Sequence, residues 1–559
     1  MTPERTPMAN LIWQWLRRRP LAYALALAAL IYLGVRLFAY QPLPADPLLR
    51  AQHLVAAGLP ELAENAYAAG LSQAPDDVDA HYDYINNHFR IQSQPGAPRD
   101  DDAILAHYQA LAATPATADL GHFGQGLVHS LEKNYDQAVD DFHQVQNRSL
   151  KYLNNSLGYA LTRSGHLRQA EAYFWKEIDL QGNVQGATGN LIWNYFLENN
   201  LDRLQELADN PSTAAYFTYS DLRELALRRM DPNAYLNAVL LAPFAAISPQ
   251  AAVSALLICA TWFLYFWRID VFEQEPWLAS LITLLLGVGS AHLALALSDV
   301  VYQILPLSLS GHWLVDLVYS IVHIGLVEEV AKFLPVLLVV WFSRQVNEPV
   351  DLMIYGSLSA LGFATMENAL YFSDYGVEIA FSRFLISTVM HLAMTGIVCY
   401  AWAAARFFHW KSQLLAVPAG LLAAALVHGL FDYFLIGPLN GLSIVSSAIL
   451  FLLSVLYGRM LQDTLNSSPF FRQPLPAASR LANYELLAST GVLLLVFIFV
   501  MDNFALSTDL AGQHVFDAAQ QYFFTLLVVF GSLGEISILP FKFRRLLEPA
   551  GGAHPDIHE

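Results

Sequence analysis

The sequence predicts an all-α protein, a polytopic transmembrane helical bundle of about ten spans with an extracytoplasmic helical-repeat domain. Three observations predict it. Of 559 residues, 55% are hydrophobic and only 14% are charged, whereas an average soluble domain is about 45–50% apolar and about 25% charged. The apolar residues gather in runs near the ~20 residues that a bilayer requires. One long stretch, residues 41–245, lacks such a run and instead repeats small and aromatic residues at helical spacing. Four regions follow: a cytoplasmic N-terminus with the first anchor (1–40), the repeat domain (41–245), a membrane core (246–440), and further spans with a cytoplasmic C-terminus (441–559).

The first apolar run, Leu21–Tyr40, follows Arg17, Arg18 and Arg19. It is long, and the chain passes directly to QPLPAD without a small-x-small cleavage site. That reads as a retained signal anchor, with the arginines holding its start in the cytoplasm.

Residues 41–245 hold about 25 Asp and Glu against about 13 Lys and Arg, most of the imbalance behind the net charge of −18. Such a balance argues against a nucleic-acid partner. Gly58, Ala63, Tyr67, Gly70 and Pro75 form a first unit. Gly126, Ala138 and Phe142 form another, and Gly158, Ala170 and Phe174 repeat it 32 residues later. Small residues let paired helices approach, and aromatics fill the gap between pairs. The pattern resembles divergent tetratricopeptide repeats, with a weaker unit near Asn190–Pro211; chance spacing in an ordinary helical bundle is the alternative.

From about Ser248 the apolar runs resume. Spans are expected near 249–267, 278–304, 314–341, 350–373, 379–407, 412–436, 441–460, 483–502 and 516–540. Short cytoplasmic loops should be rich in Lys and Arg. The loops predicted inside, with their flanking span ends, carry Arg268, Arg344, Arg406, Lys411, Arg459, Arg472, Arg480, Lys542, Arg544 and Arg545. The loops predicted outside, near 305–313, 374–378, 437–440 and 503–515, carry none. The repeat domain then lies outside the cytoplasm. Cys259 and Cys399 both fall inside apolar runs, so a disulfide is not expected.

An ionisable side chain at membrane depth costs several kcal/mol, which makes it a functional candidate by default. LVEEVAKFLP places Glu328, Glu329 and Lys332 within one span. Two adjacent carboxylates cannot both ionise cheaply there, and Lys332, one turn after Glu328, compensates one of them. The remaining carboxylate is suited to take a proton from water. GFATMENALYF places Phe363 and Glu367 one turn apart, with Asn368 beside them, and STVMHLAMTG places His391 deep in an apolar run. ALVHGLFDYFL sets His428 and Asp432 four residues apart, so both project from one helix face. Each feature alone has an ordinary reading as interhelical packing. Their recurrence in four consecutive spans points to one polar site.

These motifs resemble the PrsW family of intramembrane proteases, related to CaaX-processing and bacteriocin-processing membrane endopeptidases. The matching residues are Glu328-Glu329-x-x-Lys332, Phe363-x-x-x-Glu367-Asn368, His391 and His428-x-x-x-Asp432. RIDVFEQEPW, with Asp270, Glu273, Glu275 and Pro276, resembles the loop before that family's core, and NEPVDLMIYG, with Asp351 and Gly356, the loop before its Glu-bearing span. The likeness covers roughly residues 249–440.

The resemblance implies an intramembrane endopeptidase acting on membrane-anchored proteins, anti-sigma-factor-like regulators among them. Glu328 would activate water with Glu329 in support, Glu367, His391 and His428 would complete the site, and Asp432 would orient His428. A protonated imidazole or Lys332 would stabilise the oxyanion. Glu367, His391, His428 and Asp432 also offer nitrogen and oxygen ligands suited to zinc, although no HExxH helix is present.

A helix rise of ~1.5 Å per residue puts His428 ~12 Å and Glu328 ~20 Å from the outer ends of their spans, so water is expected from the outer face. The repeat domain is expected to recruit the substrate or a protein partner, and a bacterial cell (inner) membrane is the expected location, with the repeats periplasmic. Two other classes compete. An ion- or proton-coupled transporter also uses intramembrane Glu, His and Lys, but no repeat relates the two halves of the membrane block. A non-catalytic scaffold would not need the complete polar set.

Overall fold

The computed structural model describes residues 20–92, 101–343, 345–407, 413–436, 442–470 and 478–534. The expectations resting on Arg17, Arg18, Arg19, Arg344, Lys411, Arg472, Lys542, Arg544 and Arg545, and on the end of the last span, lie outside the described residues. Within them every regular element is helical. The chain forms two compact units. One comprises Tyr40–Ala246 with Asp502–Gly512, and the other comprises the remaining residues, centred on Ile247–Met501.

In the Tyr40–Ala246 unit, helices pair antiparallel in sequence order, among them Ala118–Leu131 with Tyr135–Gln144 and Leu153–Arg163 with Leu167–Asp179. The residues singled out by spacing make the pair contacts. A Cβ on Gly126 would lie 2.5 Å from Phe142, and one on Gly158 would lie 2.6 Å from Phe174. Both phenylalanines, and Ala138 and Ala170 beside them, are fully buried. Buried Glu177 ties consecutive pairs together. Its Oε1 accepts from the backbone N–H groups of Tyr152 (2.9 Å) and Asn183 (2.8 Å), and its Oε2 from those of Asn154 (3.1 Å) and Asn155 (3.2 Å). The Asp502–Gly512 segment closes the start of this unit. Leu506 and Leu510 pack with Ala51, Leu54, Ala63 and Tyr67, and Thr508 exchanges two 2.8 Å hydrogen bonds with the Gln41 backbone.

Among the described residues, seven helices are long and apolar enough to cross a membrane: Pro20–Phe38, Pro249–Ile269, Trp277–Ile304, Val377–Phe407, Gln413–Ile436, Ile444–Asn466 and Asn483–Ala505. Two more of the expected spans are present as helix but do not meet that description, and both carry site residues. The first runs from Trp313 to Phe342 as three joined segments: Trp313–Tyr319, a wider π-helical turn Ser320–Leu326, and Val327–Phe342. The second, Pro349–Tyr375, includes Asp351, Glu367 and Asp374. Every residue from Glu348 to Ala364 is buried. A helix enclosed by other helices needs no lipid-facing apolar stripe, so its hydropathy falls without cost to its placement. The run expected near 516–540 is broken into Thr508–Gln521 and Phe523–Leu533 as far as it is described.

Helix Gln413–Ile436 crosses the π-helical turn at backbone contact. A Cβ on Gly325 would lie 2.4 Å from the carbonyl oxygen of Ala425, and one on Gly429 would lie 2.4 Å from Cα of Ile321. Only glycine permits this approach at both positions, and it brings His428 against the start of the Glu328 helix. Gly429→Val is therefore expected to destabilise the full-length protein by about 1–3 kcal/mol through overpacking. Gly189, in the middle of Val184–Glu198, has open space around it. Gly189→Ala should stabilise by about 0.5–1 kcal/mol. Thermal unfolding of both variants in detergent checks the pair.

Candidate active site

The Val327–Phe342 helix begins directly after the π-helical turn, and its first two turns supply Glu328, Glu329 and Lys332. Such turns recur at functional sites because the extra residue re-aims the side chains that follow. Pro335 deprives the helix of one backbone donor, and nearby the Ser359 hydroxyl donates to the Lys332 carbonyl at 2.5 Å.

Lys332 is fully buried. Its Nζ donates to Glu328 Oε2 at 3.1 Å, to Glu329 Oε1 at 2.9 Å and to His391 Nδ1 at 2.9 Å. It also stands 4.4 Å from the centre of the Phe363 ring, whose face favours a cation. With Nδ1 of His391 accepting from the ammonium, Nε2 carries the proton and donates to Glu367 Oε2 at 2.6 Å. A carboxylate behind an imidazole fixes its tautomer and orientation.

The two adjacent glutamates have different surroundings. Glu329 is sealed: Oε1 also meets His428 Nδ1 at 3.0 Å, and Oε2 accepts from the Thr395 hydroxyl at 2.9 Å. Its side chain is 0% exposed, whereas that of Glu328 is 18% exposed. Glu328 is thus the carboxylate that water can reach. With Nδ1 of His428 donating to Glu329, its Nε2 faces Asp432 Oδ2 at 3.4 Å and Glu328 Oε2 at 3.7 Å. A bare nitrogen lone pair between two carboxylates is repelled by both, so this position calls for a proton or a metal cation.

All seven residues singled out by sequence converge here, from four helices. Their grouping differs in one respect from the ligand set expected by resemblance. Glu328, His391 and His428 each present one ligand atom within 4.8 Å of the others. Glu367 instead backs His391, and Asp432 stands beside His428.

Arg383, on the short helix Ala380–Leu385, was not recognised in the sequence. Its Nη2 pairs with Glu367 Oε2 at 2.9 Å, its Nε donates to Asn368 Oδ1 at 2.5 Å, and its guanidinium lies 4.0 Å from the centre of the Tyr371 ring. The signal was an arginine four residues into an apolar run. Asn368 completes the chain by donating to Thr388 Oγ1 at 3.2 Å.

The donor set suits a zinc-class ion. Four carboxylates (Glu328, Glu329, Glu367, Asp432) against Lys332 and Arg383 leave a formal charge of −2 with both imidazoles neutral. One divalent cation would balance it. To expose Nδ1 of His391, Lys332 would keep its glutamates and release the imidazole.

Comparison with known proteins concerns the same part of the chain. Residues 275–457 match the model of the PrsW family intramembrane metalloprotease. Protease PrsW of Bacillus subtilis (strain 168) is 29% identical over 171 residues, covering 31% of this chain and 76% of that protein. Protease PrsW of Geobacillus kaustophilus is 28% identical over 172 residues, covering 31% of this chain and 73% of that protein. Protease PrsW of Clostridioides difficile is 32% identical over 126 residues, covering 22% of this chain and 53% of that protein. No solved structure matches. The matched region contains every site residue described above and none of the repeat unit.

Removing one partner of a buried ion pair costs about 3–5 kcal/mol, because the other charge stays behind unpaired. Lys332→Met is expected to lose stability on that scale. Adding Glu329→Gln to it should restore part of the loss, since Gln can still meet Thr395 and His428. A double-mutant cycle on thermal or denaturant unfolding measures the coupling.

Proposed function

We propose that the chain is a PrsW-type intramembrane endopeptidase, hydrolysing peptide bonds of membrane-anchored proteins at the Glu328, His391 and His428 site. The observation that carries the reading is the meeting of one carboxylate and two imidazoles within 4.8 Å, on helices whose other residues are mostly apolar. Similarity to the named proteases points to the same chemistry.

Glu328 receives the proton of the attacking water, being the glutamate of the adjacent pair that solvent reaches. Glu329 positions rather than reacts, holding Lys332, His428 and Thr395 in register. Glu367 keeps the tautomer of His391, and Arg383 keeps Glu367 in place. Lys332 is the donor nearest to a developing oxyanion, joined by His428 only when its Nε2 carries a proton and no metal, and preorganised hydrogen bonds stabilise such charge more in a dry site than in water. Glu328, His391 and His428 would hold a zinc-class ion, which when bound supplies a polarised water at neutral pH. When Nε2 of His428 instead carries a proton, Asp432, 3.4 Å from it, orients the ring.

We further infer that Tyr40–Ala246 is a tetratricopeptide-like module outside the cytoplasm that recruits the substrate or a partner. Two observations support it. The repeat spacing reappears as Gly126–Phe142 and Gly158–Phe174 packing. The 502–512 segment, expected outside from the charge pattern, belongs to this same unit. A bacterial cell membrane fits the relatives' sources, and an anti-sigma-factor-like regulator is the substrate class this reading favours.

The test is cleavage of a panel of single-span membrane proteins by the purified protein in lipid. Glu328→Gln and His428→Ala should each lower kcat/KM by about 10²–10⁴-fold, the usual scale for an acid–base group. Glu367→Gln should lower it less. Chelation should abolish cleavage, and zinc should restore it. Deleting residues 45–240 should reduce rate and selectivity towards the natural substrate while cleavage of a short model span persists. Charge movement without cleavage would identify a transporter, and cleavage unchanged in Glu328→Gln would overturn the assignment.

A further inference from the structure

Tyr371 stands one turn after Glu367 on helix Pro349–Tyr375, so both side chains project from the same face. Arg383 lies against its ring. The guanidinium is 4.0 Å from the ring centre and pairs through Nη2 with Glu367 Oε2 at 2.9 Å. That contact uses the ring and leaves the hydroxyl aside. Among the described residues the hydroxyl has no hydrogen-bond partner, and Tyr371 is 40% exposed.

The carboxylates of Glu367, Asp432 and Glu328 all act electrostatically on this hydroxyl. They are also the carboxylates of the site that are not sealed, with side chains 23%, 19% and 18% exposed. Three partly exposed acids and one exposed phenol thus share the open side of the site. Tyr371 and Asp432 each lie one turn before the ends of their helices, at Tyr375 and Ile436. The loops that follow, 374–378 and 437–440, are both expected outside the cytoplasm, so the phenol sits where water and substrate are expected to enter.

Hydrolysis makes a demand that the other donors meet only in part. Water oxygen adds to the carbonyl carbon, the π pair moves to the carbonyl oxygen, and Glu328 takes the water's proton. When the C–N bond breaks, the pair on oxygen rebuilds the carbonyl and the nitrogen leaves with the proton from Glu328. Between these events the oxygen is an anion that fixed donors stabilise. An ammonium has three N–H groups, and Lys332 directs its donors to Glu328, Glu329 and His391. His428 directs Nδ1 to Glu329, and its Nε2 faces Asp432 and Glu328.

We propose that Tyr371 is a further catalytic residue, its hydroxyl donating a hydrogen bond to the scissile carbonyl oxygen as that oxygen becomes an anion; the assignment rests on the protease reading above. The phenol keeps its proton throughout, so it adds no charge to a site that already holds four carboxylates. A hydrogen bond to an ionised acceptor is about twice as strong as one to a neutral acceptor. The contact therefore strengthens in the transition state and acts on kcat. Arg383 is a positioning residue in two ways, holding Glu367 by an ion pair and the Tyr371 ring by its cationic face.

The test compares the full-length wild type with Tyr371→Phe in lipid nanodiscs, on a single-span membrane protein that the wild type cleaves. The substitution keeps the ring against Arg383 and removes one exposed oxygen, so Tm should not move. kcat should fall by about 10²-fold, the scale for one lost oxyanion donor, with KM unchanged. A phosphinate analogue of the cleaved bond presents a tetrahedral anionic oxygen and should bind the variant about 10²-fold more weakly than the wild type. Tyr375→Phe, whose ring lies 5.6 Å from that of Tyr371 near the helix end, should keep full activity. Unchanged kcat in Tyr371→Phe, a loss carried by KM alone, or equal phosphinate affinity would overturn the proposal and leave the protease reading standing. A lowered Tm in Tyr371→Phe would mark the hydroxyl as a structural partner and overturn it likewise. Absence of any cleavage by the wild type would remove the protease reading itself, and the role of Tyr371 with it.

Discussion

The buried ammonium of Lys332 is the constraint on which the site depends. A fully enclosed cation in an apolar bundle is tolerated only when its partners are close and geometrically satisfied. Lys332 meets that demand with two glutamates from its own helix and one imidazole from another. The consequences run outward through the structure. Its bond to Nδ1 sets the tautomer of His391, which turns Nε2–H to Glu367, which is held in turn by Arg383 and, through it, by Asn368 and Thr388. In the other direction Glu329 links Lys332 to Thr395 and His428. Charge at this depth survives because it is shared across one connected network, and the network exposes Glu328 at its edge.

Much of this was legible in the sequence, for a physical reason. Polar groups inside apolar runs are costly, so each one advertises a partner, and Glu328, Glu329, Lys332, Glu367, His391, His428 and Asp432 all proved to share theirs. Seven of the expected spans were legible as long apolar helices, because helix length is set by bilayer thickness. The ligand grouping was less accessible. Whether Glu328, Glu367 or Asp432 joins the two imidazoles depends on helix rotation, and the π-helical turn before Val327 alters that rotation in a way that residue spacing does not encode. Arg383 was obscured differently. Near the end of an expected span it reads as an interfacial charge, although it turns inward to Glu367.

The Tyr40–Ala246 unit illustrates the opposite case. There spacing alone was informative, because Gly126 and Gly158 each leave room for one aromatic ring from the next helix, and the repeat offset is a property of chain geometry. The participation of 502–512 was not legible, since no local pattern announces that a loop more than 450 residues later will hydrogen-bond to Gln41. Its Leu506 and Leu510 supply apolar surface to the first helix pair, packing with Ala51, Leu54, Ala63 and Tyr67.

The bundle contains two carboxylate clusters that manage their charge by different means. Around Glu328 the acids are answered within the chain, by Lys332 and Arg383, and what remains unbalanced is concentrated where imidazole nitrogens can share a metal ion. Around Asp351 the donors among the described residues are neutral: backbone N–H groups and the hydroxyls of Tyr355 and Ser468. Neutral donors satisfy one oxygen of each carboxyl but do not offset the mutual repulsion of the group. A lysine could have filled that space, as Lys332 does at the other site. Among the described residues hydroxyls and backbone take that place, and the carboxyls of Glu275 and Asp351 lie within hydrogen-bonding reach of each other, so that a shared proton relieves their repulsion. The first cluster leaves Glu328 at an edge that water reaches, and the second closes on itself.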